Sequence, residues 1–248
     1  MSAARAGLSA VWRRELAGYF QTPAAYVFIA VFLLSAGGFA FYLGDFFNTN
    51  RADLDVFFVF HPWLHLVFMP ALAMRLWAED VKTGAIEILM TLPVPVWAAV
   101  LAKFLAAWCV AGVALALTAP LWVTVNYLGS PDNGAIAIAY AGSFLAAGAY
   151  LALGMAMSAL TPNQVIAFVL AAFIGFLLTV TGVAGVLDPV GAVFGPRAAE
   201  FFASLSLQQR FESLQRGVID LPDLVFFLSF IGVWLAACGL AVSARRGG

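Results

Sequence analysis

Residues 133–187 contain no Asp, Glu, Lys or Arg. No ordinary soluble fold tolerates an uncharged run of that length, because its surface helices and loops need charged side chains. A bilayer tolerates it. There the backbone must satisfy its own hydrogen bonds, so a spanning segment is a helix or part of a closed barrel. The run lacks the polar–apolar alternation of barrel strands and reads as helix. One crossing takes about 20 apolar residues, so the run holds two. Thr161-Pro162-Asn163-Gln164 divides it, since proline disfavours helix at the residue before it. The spacing predicts spans at 135–160 and 163–187.

The same criterion gives four more spans, at 24–43, 56–74, 97–128 and 224–244, the last stopped by Arg245-Arg246. The chain is expected to be all-α and polytopic, one transmembrane domain over residues 1–248 with six transmembrane helices. The charged residues, 10% of the chain, fall far below the roughly 25% of a soluble domain. A net charge of −1 gives no pull toward nucleic acid. Cys109 and Cys238 both sit in apolar runs, which argues against a disulfide framework or zinc cluster. The first apolar run is long enough to span and no small-residue cleavage site follows it, so the N-terminus is not read as a cleaved signal.

Lys and Arg bias orients the spans. With the N-terminus inside, Arg5, Arg13, Arg14, Arg75, Lys82, Lys103, Arg245 and Arg246 are cytoplasmic, and Arg51, Arg197, Arg210 and Arg216 are outside. Both termini are therefore expected in the cytoplasm, with the chain multi-pass in a bacterial inner membrane.

That orientation exposes one sizeable cytoplasmic loop, 75–95. It holds five of the chain's charged residues, Arg75, Glu79, Asp80, Lys82 and Glu87. Span 2 is expected to continue as helix past the membrane, where Arg75–Glu79 and Glu79–Lys82 can pair at i, i+4 and i, i+3. Thr83-Gly84 should end that helix, with Thr83 capping a second short helix over 84–91, and Pro93 and Pro95 stop it. On it Thr83, Glu87 and Thr91 line one side; Ile86, Leu89 and Met90 line the other. Two turns do not persist alone in water. The element either docks on membrane, on neighbouring helix or on another protein, or serves only as a re-entry hairpin.

Residues 8–20, LSAVWRRELAGYF, place Leu8, Val11, Trp12, Leu16, Tyr19 and Phe20 on one helical face, with Arg14 opposite and Arg13 at the flank. This reads as an interfacial helix before span 1, Trp12 and Tyr19 in the headgroup zone. Glu15 falls inside the apolar arc. It either finds a cationic or polar partner or reaches to water.

The run FFVFHPWLHLVFMPALAMRLWAEDVKTGAIEILMTLPVPVWAAVLAKFLA, with RRELAGYFQTPAAYVFIAVF before it and SALTPNQVIAF after it, resembles ABC-2 type ABC-transporter permeases. It is most similar to the gliding-motility-type subgroup and to nitrous-oxide-reductase maturation permeases. The residues that carry the resemblance are Pro70, Arg75, Glu79, Lys82, Gly84, Ile86, Glu87, Leu92, Pro93 and Lys103-Phe104. The resemblance implies a type V exporter-like fold with an N-terminal interface helix (Trp12, Arg13, Arg14, Glu15) and a short cytoplasmic coupling helix. Its coupling residues are Glu79, Asp80, Lys82, Thr83, Gly84, Ile86, Glu87, Leu89 and Met90. It further implies a separate cytoplasmic ABC ATPase subunit that carries ATP and Mg2+, a second permease copy or related permease, surrounding membrane lipid and an accessory protein with a periplasmic domain. No cofactor is expected on this chain. The resemblance implies a permease that moves a substrate across the membrane, as an exporter; a non-transporting assembly factor or mechanotransmission scaffold on the same fold is the alternative.

The chain is not expected to be an enzyme. A P-loop needs Gly-x-x-x-x-Gly-Lys-Ser/Thr, and neither Lys82 nor Lys103 follows a glycine. A rhomboid-like protease needs a serine nucleophile with a base, which the sequence does not offer in usable form. His61 and His65 stand at i, i+4 where the related pattern is usually apolar. Two ligands do not make a metal site, and a polar contact in the outer leaflet or across a dimer seam is the competing role. Gly142, Ala146, Gly148, Ala152 and Gly154 mark span 4 as a close-packing helix. Pro70 and Pro120 are expected to kink spans 2 and 3. Lys103 should reach the inner interface by snorkelling. With no other charge at mid-depth the cargo is expected to be apolar or amphipathic. Outside, FFASLSLQQRFESLQRG is expected to be one amphipathic helix on the outer face, with Phe201, Leu205, Phe211 and Leu214 inward, as a lid or as a substrate-handling element.

Overall fold

The computed structural model describes residues 2–47, 51–87 and 94–245, with residues 2–6 as backbone alone. Among these the regular structure is helical. In chain order the helices are α1 (Ser2–Gln21), α2 (Pro23–Gly38, continued by a π-helical turn Phe39–Leu43), α3 (Asp55–Phe58), α4 (His61–Ala73), α5 (Ala78–Thr83), α6 (Val96–Ala116) and α7 (Ala119–Leu128). Then follow α8 (Asn133–Leu160), α9 (Gln164–Val180), α10 (Ala184–Phe194), α11 (Pro196–Ser204), α12 (Leu207–Gln215) and α13 (Leu221–Ala244).

Five continuous or gently broken segments are long and apolar enough to cross a bilayer: Pro23–Leu43, Asp55–Thr83, Val96–Leu128, Asn133–Leu160 and Leu221–Ala244. The sixth is a bent pair, α9 and α10, whose axes differ by 71°. This corrects the expected straight span over 163–187. Val180 is the last residue of α9, and α10 leaves at an angle with no residue buried. Ser206 fixes the bend from outside: its hydroxyl donates to the Thr179 carbonyl at 3.3 Å.

The central post is α8. Its small residues admit neighbours to backbone distance. A Cβ on Gly148 would stand 2.9 Å from the Trp108 ring, and one on Gly154 2.7 Å from the Ala73 Cβ. Trp108 fills the Gly148 notch, stacks on Phe144 with centroids 4.4 Å apart, and donates its indole N–H to the Phe144 carbonyl at 2.9 Å. The expected close-packing role of span 4 is thus what the structure shows.

The proline expectations divide. Span 3 breaks at Leu117-Thr118, just ahead of Pro120, where the Leu115 carbonyl accepts from both the Thr118 backbone N–H at 3.0 Å and the Thr118 hydroxyl at 2.6 Å. Span 2 runs through Pro70 without a break. Its interruptions lie at residues 59–60, ahead of Pro62, and at 74–77. Outside, the expected single amphipathic helix is two, α11 and α12, with Ser206 capping the second. The inward set is Leu207, Phe211 and Leu214, whereas Phe201 and Leu205 are exposed. The turn at 205–206 resets the helical phase, so one wheel does not describe both helices.

Helix direction sorts the loops into two ends. One end gathers α1, residues 74–87, Val94 to Lys103, Leu160 and Arg245. There Arg245 donates to the Ala159 and Leu160 carbonyls at 3.2 and 3.1 Å, a cation closing the C-terminus of α8. The other end gathers residues 45–55, 129–132 and α10–α12.

Candidate functional site

The first end contains a fastened junction of three segments, and its centre is Lys103. This side chain lies one to two turns inside α6 and is 2% exposed. Its ammonium has three donors. Each has an acceptor: the Leu76 carbonyl at 3.0 Å, Asp80 Oδ2 at 2.9 Å and Glu15 Oε1 at 3.3 Å. The Trp77 ring lies beneath it, with its centroid 5.2 Å away. Lys103 therefore does not snorkel to water. It ties α1, the 74–80 turn and α6 together.

Glu15 meets a cationic partner, the first of its two open readings. Arg14 joins from the solvent side at 2.8 Å. Burial pushes the Glu15 carboxyl up, but Lys103, and then Arg14, outweigh it and hold the group below its usual range. The stripe on α1 is likewise protein-facing. Val11 and Tyr19 are buried, and Trp12 is half-buried; Arg13 and Arg14 are exposed. Tyr19 faces the protein interior. Its hydroxyl donates to the Leu72 carbonyl at 3.4 Å, its ring carries the Arg75 guanidinium at 5.4 Å, and burial raises its phenol.

The turn at 74–77 would leave backbone groups orphaned in a dry interior. Ser158, on α8, supplies what they lack. Its hydroxyl oxygen accepts from the Trp77 and Ala78 N–H groups at 3.1 and 3.0 Å and donates to the Met74 carbonyl at 2.8 Å. Sequence gave no indication of this, since one serine in MSAL looks like any helix serine. Lys103 did carry a signal, as a lone lysine within an apolar helix face, but its partners lie on segments distant in sequence.

The remaining coupling candidates stand as follows. Glu79, Lys82 and Glu87 are exposed. Neither Arg75–Glu79 nor Glu79–Lys82 forms an ion pair among the described residues, although the Glu79 N–H bonds the Arg75 carbonyl at 3.4 Å; Asp80 is the carboxylate that pairs, with Lys103. Thr83 does not cap the next helix. Its hydroxyl donates back to the Glu79 carbonyl at 2.8 Å, while Gly84, at φ +74°, closes α5 in the left-handed conformation that favours glycine. Residues 85–87 are helical, with Ile86 buried in the chain's own core and Glu87 outward. Leu89 and Met90 lie outside the described residues. A cavity of about 240 Å³ remains between α1 and the 75–80 segment, lined by Arg14, Glu15, Tyr19, Arg75, Glu79 and Lys103 among others.

Far from this junction, His61 and His65 both meet Ser143 on α8, His61 Nδ1 at 2.7 Å and His65 Nε2 at 3.0 Å from its hydroxyl oxygen. One hydroxyl proton serves one ring, so the other imidazole donates. Both residues are fully enclosed, among Phe57, Phe58, Phe32 and Tyr150. This is a polar contact within one chain, between spans 2 and 4. No group of three or more His, Cys, Asp or Glu side chains stands together as a metal site among the described residues.

The fold, its apolar helices and the two sorted ends define a multi-pass membrane protein. Residues 61–181 match the family model described as CcmB protein, from the start of α4 to the bend after α9. Over 70 residues the chain is 36% identical to "Heme exporter protein B" of Rhodobacter capsulatus. That stretch is 28% of this chain and spans about a third of the relative, 32% of its length. The family match includes the 74–103 part of the junction and not α1.

Proposed function

We propose that this chain is the transmembrane permease subunit of an ABC transporter. The match of residues 61–181 to the CcmB family model carries the reading, and the Lys103 junction supports it physically. A permease must pass motion from a cytoplasmic ATPase to its spans. Here α1, the 74–87 segment and α6 are joined by buried, directional contacts, so a load on any one reaches the others. Such coupling needs two arrangements of the element, each favoured by a different nucleotide state.

In this reading a separate cytoplasmic ABC ATPase binds ATP and Mg2+, and a second permease copy or a related permease completes the pathway. The gathering of Arg13, Arg14, Arg75, Lys82, Lys103 and Arg245 at one end supports a cytoplasmic location for that end and for both termini. The gliding-motility-type motif pattern and export as the direction belong to the same proposal. The cargo is apolar or amphipathic, because the described spans place no unpaired charge at mid-depth. Heme, the cargo in the similar protein's name, belongs to that class and is the first to test.

The experiment is reconstitution in lipid nanodiscs with candidate P-loop ABC ATPases from the same organism. A P-loop ATPase should bind, and heme or another amphipathic cargo should raise its hydrolysis rate. A permease that binds no ATPase, or hydrolysis indifferent to the permease, would sink the reading.

A further inference from the structure

We infer that Arg75 is the receptor for a carboxylate side chain of the docking partner, which enters the cavity between α1 and the 75–80 segment. The inference rests on the transporter reading and adds to it the chemistry of the contact.

The cavity's charges are spent unevenly. Lys103 is fully used by Leu76, Asp80 and Glu15. Glu15 is used by Lys103 and Arg14, and Asp80 by Lys103. Glu79 is exposed. Arg75 differs. It is half-buried, and its guanidinium is held over the Tyr19 ring at 5.4 Å. Among the described residues no carboxylate or carbonyl takes any of its five N–H donors.

A guanidinium is a planar fork suited to a bidentate carboxylate. The cation–π contact with Tyr19 restrains the Arg75 head group, so part of the ordering entropy of a pair is already lost before a partner arrives. Tyr19 is itself pinned by its bond to Leu72. The cavity of about 240 Å³ admits a side chain and not a domain. The occupant that fits is an Asp or Glu projecting from the ATPase surface, with Arg75 as its counter-charge. Glu79, at the rim, repels a second carboxylate and favours a partner whose acidic residue stands alone or beside a base.

The test measures the affinity of the purified ATPase for nanodisc-embedded permease. Arg75→Gln should weaken it by roughly thirtyfold or more, the scale of losing one partner of a close interfacial charge pair. Arg197→Gln removes an exposed charge of the same sign at the other end of the molecule and should change it by less than about twofold. Arg75→Lys keeps the charge over Tyr19 without the fork and should fall between. Arg75→Glu should be rescued by one Asp→Arg or Glu→Arg change on the ATPase docking face. Equal losses in Arg75→Gln and Arg197→Gln would overturn the inference as a general charge effect. So would an Arg75→Lys variant that binds like wild type while Arg75→Gln aggregates. Loss of co-purifying anionic phospholipid from Arg75→Gln with ATPase affinity intact would overturn it in favour of a lipid headgroup. An ATPase that does not bind even wild type overturns the transporter reading itself, whereas one that ignores Arg75 overturns only this contact.

Discussion

Replacing Lys103 with methionine keeps the stem volume and removes the charge. In the wild type the ammonium is almost wholly enclosed, and the Glu15 and Asp80 side chains beside it are only 17% and 20% exposed. Removal leaves two carboxylates partly desolvated within one site, and the Leu76 carbonyl without its donor. Breaking a buried ion pair from one side costs about 3–5 kcal/mol, because the stranded charge has no replacement partner. A domain of this size loses roughly 2–4 °C of midpoint per kcal/mol. Thermal unfolding of Lys103→Met in nanodiscs should therefore fall by on the order of 10 °C. The triple variant Lys103→Met, Asp80→Asn, Glu15→Gln removes the stranded charges as well. Since an apolar replacement of a whole buried ion cluster is often neutral, the triple should recover most of the loss. A single variant as stable as wild type, or a triple as unstable as the single, would refute the account of Lys103 as the centre of a desolvated cluster.

Three further outcomes follow from the same geometry. The folded-state carboxyl of Glu15 is held below its ordinary value of 4.5, so its contribution is complete above that value and fades as pH falls through the lower folded one; hydrogen exchange in α1 should rise in acid, and Glu15→Gln should flatten that rise. Ser158→Ala strands the Trp77 and Ala78 N–H groups and should cost about 1–3 kcal/mol, seen as a lower unfolding midpoint and faster exchange in α5. Gly148→Val puts a branched side chain where a Cβ already meets Trp108 at 2.9 Å; overpacking of roughly 1–3 kcal/mol should appear as a lower midpoint and a shifted Trp fluorescence.

The spans were legible because hydropathy is a property of each segment alone. Positions of Pro23–Leu43, Val96–Leu128, Asn133–Leu160 and Leu221–Ala244 agree with the apolar runs to within a few residues. Span 5 was not, since composition continues past Val180 while the axis turns by 71°. At the bend Ser206 meets the Thr179 carbonyl across 27 positions of chain, a contact that no local pattern encodes.

The junction divides in the same way. Sequence by itself determined that α1 is amphipathic, that Glu15 sits in its apolar arc, and that charge clusters between Arg75 and Glu87. It also placed Lys103 near the end of a span. Only the tertiary structure decided that Lys103 is the partner of Glu15, that Asp80 and not Glu79 completes the set, and that Ser158 holds the turn between them. The reason is geometric. Local spacing tells which side chains could meet along one helix, but the partner that Asp80 meets is Lys103 on α6, while Glu79 stays exposed. The break at 74–77 is stable only because α8 brings a hydroxyl to it from some 80 residues away.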